Sequence, residues 1–224
     1  MKKFSHAFAN RTTAGLALAR EVAVLDLADP VVLALPRGGV PVAYEIAKEL
    51  SAPLDLVMVQ KLGAPGHAEF AIGALVDGED PEVMIDDEAA AASGASESYI
   101  TRLVAESLKE IRRRRSAYGL DWPLELSGRT AVLVDDGIAT GSTAEVALRA
   151  VKKAGANQVV LAAPVGALEA LTRLADLCDQ VICLQKPQPF YAVGAHYEDF
   201  GQTSDTEVVR YLELARNGAS QSGE

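Results

Sequence analysis

Thr130-Ala131-Val132-Leu133-Val134-Asp135-Asp136-Gly137-Ile138-Ala139-Thr140-Gly141-Ser142-Thr143 decides how this chain is read. The apolar run at its start is short and carries no polar residue on either face. That is the pattern of a strand covered on both sides, as in a parallel sheet. Two acids and a glycine end the run, and Gly137 and Gly141 punctuate the loop behind it. Helical periodicity follows to about Ala154, where Gly155 supplies a stop. Strand, glycine-bearing loop and helix in that order form one unit of an α/β domain.

The flanks repeat the unit. Residues 31–35 read as a buried strand that runs into Pro36-Arg37-Gly38-Gly39, and residues 40–50 as a helix. Before them, Leu16, Ala19, Ala23 and Leu27 recur at helical spacing, predicting a helix over about 11–27. Residues 54–59 read as a second buried strand, 60–67 as a loop with two glycines and a proline, 70–76 as a third strand, and 77–81 as a polar turn. A long helix is expected over 96–118, with Ile100, Leu103, Val104, Leu108 and Ile111 as its apolar stripe. Past the central unit come a strand at 158–163, a helix at 167–177, a strand at 180–184 and a terminal helix at 205–216.

Composition agrees with this order. Of 224 residues, 49% are hydrophobic and only 5% aromatic, so the core is built from Ala, Val, Leu and Ile, as in a helix-covered parallel sheet. The formal charge of −10 argues against a nucleic-acid binder, which needs a Lys/Arg surface. Arg112 to Arg115 lie around a helix near its C-terminus and read as a solvated face. The two cysteines, Cys178 and Cys183, make neither a disulfide framework nor a metal-ligand pair, and each reads as a small buried hydrophobe. Polar residues interrupt the apolar stretch near the N-terminus before it reaches leader length, and no run reaches the length of a membrane span. A cytoplasmic protein is expected.

The central loop has a chemistry of its own. Free N–H groups at the loop and helix start converge on a phosphate. Gly141 allows close backbone approach, and Thr140, Ser142 and Thr143 add hydroxyl donors. Asp135 and Asp136 can accept hydrogen bonds from neighbouring ribose hydroxyls. A sugar phosphate suits this set, at the carboxyl end of a strand where open α/β sheets bind ligands. Acid pairs and hydroxyl caps are also ordinary at strand-to-helix turns. The Gly-Lys-Ser/Thr of a nucleoside triphosphate loop and the Gly-x-Gly-x-x-Gly of a dinucleotide fold are both missing.

Residues 132–143 resemble the binding motif for 5-phosphoribosyl-1-pyrophosphate (PRPP) of type I phosphoribosyltransferases: an apolar strand, two acids, then a Thr-Gly-x-Thr loop. Pro36-Arg37-Gly38-Gly39 resembles that family's pyrophosphate loop, and Lys61 stands where the family often has a cation. Residues 65–74 and 189–194 resemble a bacterial group of predicted phosphoribosyltransferases without a settled substrate. The resemblance covers most of the chain, from about Arg11 to the terminal helix.

The resemblance implies an α/β fold of the type I phosphoribosyltransferase kind, a central mostly parallel sheet flanked by helices, with a small hood. It implies one domain over residues 1–216, with a helical insertion at about 86–120, a hood from about 185–203, and a polar tail at 217–224. PRPP would lie on Asp135, Asp136, Gly137, Ala139, Thr140, Gly141, Ser142 and Thr143, with its pyrophosphate on Arg37, Gly38, Gly39 and Lys61. A loop over about 62–69 would close the site. Mg²⁺ would come with PRPP, held chiefly by substrate and water, and no dedicated protein metal site is expected. The reaction implied is transfer of phosphoribose to a nitrogenous base, with release of pyrophosphate, in nucleoside metabolism. Hypoxanthine-type relatives often carry an acid where this chain has Ala139, which removes one candidate base. His67 and Glu69 read equally well as solvated loop residues, so no catalytic acid or base is assigned. Phe190 and Tyr191 could stack on the acceptor, or simply pack, and His196 and Tyr197 stay open. A homodimer is implied, without nucleic acid or membrane. The rival readings are a non-catalytic PRPP or nucleotide-binding regulator, and a PRPP hydrolase.

Overall fold

The computed structural model describes residues 7–78, 81–120 and 125–221. In chain order the elements are α1 (Arg11–Ala23), β1 (Pro30–Ala34), α2 (Gly39–Leu50), β2 (Leu54–Leu56), β3 (Val59–Ala64), β4 (His67–Val76), β5 (Glu82–Ile85), α3 (Asp87–Ala92) and α4 (Glu97–Ala117). There follow β6 (Thr130–Val134), α5 (Ser142–Lys153), β7 (Gln158–Val165), α6 (Leu168–Ala175), β8 (Gln180–Gln185), a 3₁₀ turn (Val193–His196) and α7 (Asp205–Gln221).

Five strands form a parallel sheet in the order β2-β1-β6-β7-β8. The register aligns Val32 with Val132 and Val132 with Val160, and one residue on, Leu33 with Leu133 and Leu133 with Leu161. Successive strand residues face opposite sides. Val32, Val132 and Val160 therefore enter the core shared with Leu18, Ile46 and Val208, while Leu33, Leu133 and Leu161 enter the one shared with Leu148 and Leu174. All five residues of β6 are buried, as the unbroken apolar run predicts. The expected central parallel sheet with helices on both faces is the observed one. No helix among the described residues is long and apolar enough to cross a membrane.

A second sheet, the antiparallel β3-β4-β5, corrects two expectations. The single strand expected over 54–59 is two, because β2 leaves the main sheet after Leu56 and β3 begins a hairpin at Val59. The loop expected over 60–67 is mostly β3, and its turn is Pro65-Gly66, with Gly66 at φ +71°. A continuous apolar run gives no sign of where a strand changes sheets. The short β5 was not expected at all. Glu79 and Asp80 of the expected turn lie outside the described residues, as does the side chain of Glu69.

The stretch expected as a helical insertion folds as α3 and α4. Ser96 caps α4 by accepting the Tyr99 N–H. Arg115 overturns the reading of residues 112–115 as a solvated face: it is 3% exposed. Its guanidinium donates to Asp55 at 2.9 and 3.1 Å, to Asp77 at 2.8 Å and to the Leu56 carbonyl at 3.1 Å. Ile111, one turn earlier on the same face, is buried too, which carries Arg115 inward. Burial raises the Asp77 carboxyl from an ordinary 3.8 to about 6, against the pull of Arg115. The polar tail expected from 217 is helical as far as Gln221, and residues 222–224 lie outside the described part.

Candidate functional site

The loop after β6 is pinned between its two glycines, Gly137 and Gly141. Ile138 donates to the Val165 carbonyl at 2.9 Å and accepts from the Ala167 N–H at 2.8 Å. The segment 139–143 is thereby held at the carboxyl ends of β6 and β7. Ala139, Thr140 and Ser142 are exposed there, and Gly141 sits at φ +76° as the N-cap of α5. That backbone region is open to glycine at little cost. Thr140 and Ser142 bring their hydroxyls to 3.2 Å of each other. Exposed hydroxyls and the N-terminus of α5 share one loop tip, an arrangement that suits an anion. Arg173 of α6 braces it, donating to the Thr140 carbonyl at 2.7 Å.

Asp135 and Asp136 stand just upstream. Asp135 Oδ1 accepts the Asp136 N–H at 2.8 Å. Burial first, and then the Asp136 carboxylate beside it, push the Asp135 carboxyl well above the usual carboxylate range. Asp136 is held otherwise. Its Oδ2 accepts from Arg11 Nε at 2.7 Å, with both side chains close to 13% exposed or less. The two acids thus differ in environment.

The Pro36-Arg37-Gly38-Gly39 turn opens α2 and meets the acid pair. The Pro36–Arg37 peptide is cis. A Cβ on Gly38 would lie 2.1 Å from Asp136 Oδ2, and one on Gly39 would lie 2.7 Å from the Val134 carbonyl oxygen. Only glycine lets these two loops approach so closely. Arg37 is about one-third exposed, 3.7 Å from Asp205, and shares the wall of a cavity of about 610 Å³ with Gln60, Arg113, Arg114 and Tyr118.

The segment after β8 closes over the acid loop from the other side. A Cβ on Gly137 would lie 2.3 Å from Val193 Cγ1, and the Tyr197 hydroxyl donates to the Asp136 carbonyl at 2.6 Å. Burial above all raises the Tyr197 phenol pKa, which keeps it a donor.

Residues 14–198 match the profile of the phosphoribosyl transferase domain. This chain belongs to the phosphoribosyl transferase family. It is 43% identical over 218 residues to proteins of two strains of Mycobacterium tuberculosis that carry the name phosphoribosyl transferase as an unproven assignment. The match takes in 96% of this chain and 48% of each relative, so the chain spans about half the length of the curated relatives it matches. The crystal structure of a Thermus thermophilus protein, TT1426, superposes with a TM-score of 0.78 at 43% identity, covering 92% of this chain and 97% of that one.

Against the site expected from the phosphoribosyl transferase resemblance, the structure brings Gly38 and Gly39 against the Asp135-Asp136 pair, with Gly137 and the 139–143 loop following in the chain, while the Arg37 side chain lines a cavity with Gln60 and Asp205. Lys61 is not among the residues so gathered. It is exposed on the hairpin strand β3, and its neighbour Gln60 is the residue that lines the Arg37 cavity. Strand alternation turns the two side chains to opposite faces. Phe190 packs on His196 with ring centroids 5.5 Å apart, whereas Tyr191 is 77% exposed. His67 is an exposed residue at the hairpin turn. Among the described residues no group of three His, Cys, Asp or Glu could hold a metal ion.

Sequence reading missed Arg11, Arg173 and Tyr197 as supports of the transferase loops. Arg11 did leave one local sign. It sits in the first turn of α1, which has no acidic residue, although a cation there opposes the helix dipole. Such a breach of a local rule points to a tertiary partner.

Proposed function

We propose that this protein transfers phosphoribose from PRPP to a nitrogenous base, with release of pyrophosphate. The observation that carries the reading is the contact of Gly38 with Asp136, where a pyrophosphate-type loop and a ribose-type acid pair meet with no room for a Cβ. The 5-phosphate rests on the 139–143 loop and the α5 N-terminus. Asp135 and Asp136 take the ribose hydroxyls. Arg37 and the Gly38 and Gly39 amides take the pyrophosphate, and Lys61, which faces away from the Arg37 cavity in this structure, joins them as a further cation when the hairpin closes.

The C1–O bond to pyrophosphate breaks with its electron pair leaving on the pyrophosphate, and a base nitrogen bonds to C1 and gives up its proton to the leaving pyrophosphate or to water. Charge builds on the leaving group, so the fixed donors around Arg37 do most to lower the barrier. Mg²⁺ would come with PRPP, held chiefly by substrate and water, and would neutralise charge on the pyrophosphate. The hairpin turn at Pro65-Gly66 excludes water when it closes. Tyr191, exposed on the hood segment, stacks on the acceptor, and Phe190 beside it packs on His196. The free thiols of Cys178 and Cys183 suit a reducing, cytoplasmic setting, and a homodimer is our working assembly.

A pyrophosphate-release screen over purine and pyrimidine bases tests this. Release that depends on one base supports the transferase and names the acceptor. Release at the same rate without any base shows a PRPP hydrolase, and PRPP binding with no release under any base shows a regulator.

A further inference from the structure

The family profile begins at residue 14 and ends at 198, yet residues outside both limits meet at the acid pair. Phe8 donates its N–H to the His196 carbonyl at 2.9 Å and accepts from the Glu198 N–H at 2.8 Å, while Asp199 donates to the Ala9 carbonyl at 3.0 Å. This short ladder fixes the entry to α1. Asn10 then caps the helix in a reciprocal box with Thr13, which sets Arg11 as the first helical residue.

From there Arg11 reaches across the fold. Nε donates to Asp136 Oδ2 at 2.7 Å, Nη1 donates to the Gly201 carbonyl at 2.6 Å, and the guanidinium lies 3.9 Å from the centre of the Phe200 ring. The group is therefore held on three sides, by carboxylate, carbonyl and ring face. A planar fork stacked on an aromatic ring is a role that Arg fills and Lys does not. The Gly38 turn stands against the same Oδ2.

We infer that Arg11 is a positioning residue for sugar recognition, clamping Asp136 so that its other oxygen, Oδ1, is presented to a ribose hydroxyl. The inference rests on the PRPP reading above. Asp135 and Asp136 are adjacent carboxyls, and Arg11 is the cation that meets Asp136 directly. Asp136 is thereby held in one orientation, and the hood segment 196–201 is tied to the acid loop through the same side chain. Arg11 acts through Asp136 and has no role toward pyrophosphate, which the Arg37 turn holds.

That division gives the test. Affinities for PRPP and for inorganic pyrophosphate, both with Mg²⁺, are measured by calorimetry for wild type, Arg11→Gln, Arg11→Lys and Phe200→Leu, with thermal unfolding of each protein in parallel. Arg11→Gln is expected to weaken PRPP about tenfold or more, the scale of one charge-assisted hydrogen bond, and to leave pyrophosphate affinity within about twofold on the same scale. Arg11→Lys should recover part of the loss. Phe200→Leu, which keeps the ion pair but removes its platform, should show a smaller loss confined to PRPP, and it carries the test if Arg11→Gln does not fold. Unchanged PRPP affinity overturns the clamp, and so does an equal loss for both ligands, which marks a merely structural residue. Tighter PRPP binding overturns it as well, since Arg11 would then compete with the sugar for the acid. Wild-type protein that binds pyrophosphate but not PRPP removes the PRPP reading and the clamp with it.

Discussion

Asp136 is the residue on which three segments agree. Arg11 holds its carboxylate, Tyr197 holds its carbonyl, and Gly38 leaves it room. Gly38→Ala places a methyl group where Oδ2 now sits, so the carboxylate must leave Arg11 or the turn must leave the acid. Loss of such a charge-assisted contact predicts PRPP binding weaker by about tenfold or more, in a protein that still unfolds cooperatively. Titration of the purified variant checks this, and wild-type affinity would show that the turn and the acid are not coupled. At this scale the sequence was informative where partners are contiguous. Asp135, Asp136, Gly141 and the hydroxyls of 140–143 lie in one stretch, and their order alone carries the chemistry. Arg11 lies 125 positions from Asp136, and no spacing rule reaches that far.

At the scale of elements, α4 is fastened to the edge of the sheet and to the hairpin by one buried cation. Arg115 serves Asp55 in the middle of β2 and Asp77 just past the end of β4. Arg115→Met leaves two buried carboxylates without it, and removal of one partner from a buried pair costs about 3–5 kcal/mol. Urea unfolding should report a loss of that order. The same site predicts a pH dependence. The Asp77 carboxyl sits at about 6 when folded, above its ordinary 3.8. The folded state thus binds more protons between those values, and this contribution to stability is lost as pH rises from about 4 through about 6. Asp77→Asn should flatten that part of the stability profile, and an unchanged slope would place the titration elsewhere. Amphipathic spacing read α4 well, but it could not tell which of four arginines turns inward. The first arm of the hairpin was read as a loop because Gly63, Pro65 and Gly66 are turn-formers, while the pairing that makes a strand of 59–64 is with β4.

Over the whole molecule, the parallel sheet was legible because every central strand is an apolar run buried on both faces. The charge of −10 predicts that DNA is not retained at about 0.15 M salt, where long-range attraction is in any case screened. A gel-shift titration checks that. In the proposed function, binding of a polyanion by so acidic a chain would come from local groups: the α2 and α5 N-termini, Arg37 and the hydroxyl loop. These converge only because β1 and β6 are neighbours in register, which brings the two following loops together. The measurement that bears most directly on this account is calorimetric titration of Mg²⁺–PRPP into wild-type protein and into the Asp135→Asn, Asp136→Asn double variant, with circular dichroism of both. The account predicts saturable one-site binding to the wild type and none to the variant, with the two spectra superimposable. Equal binding to both would contradict the assignment of the acid pair to the ribose, whatever the protein does next with its ligand.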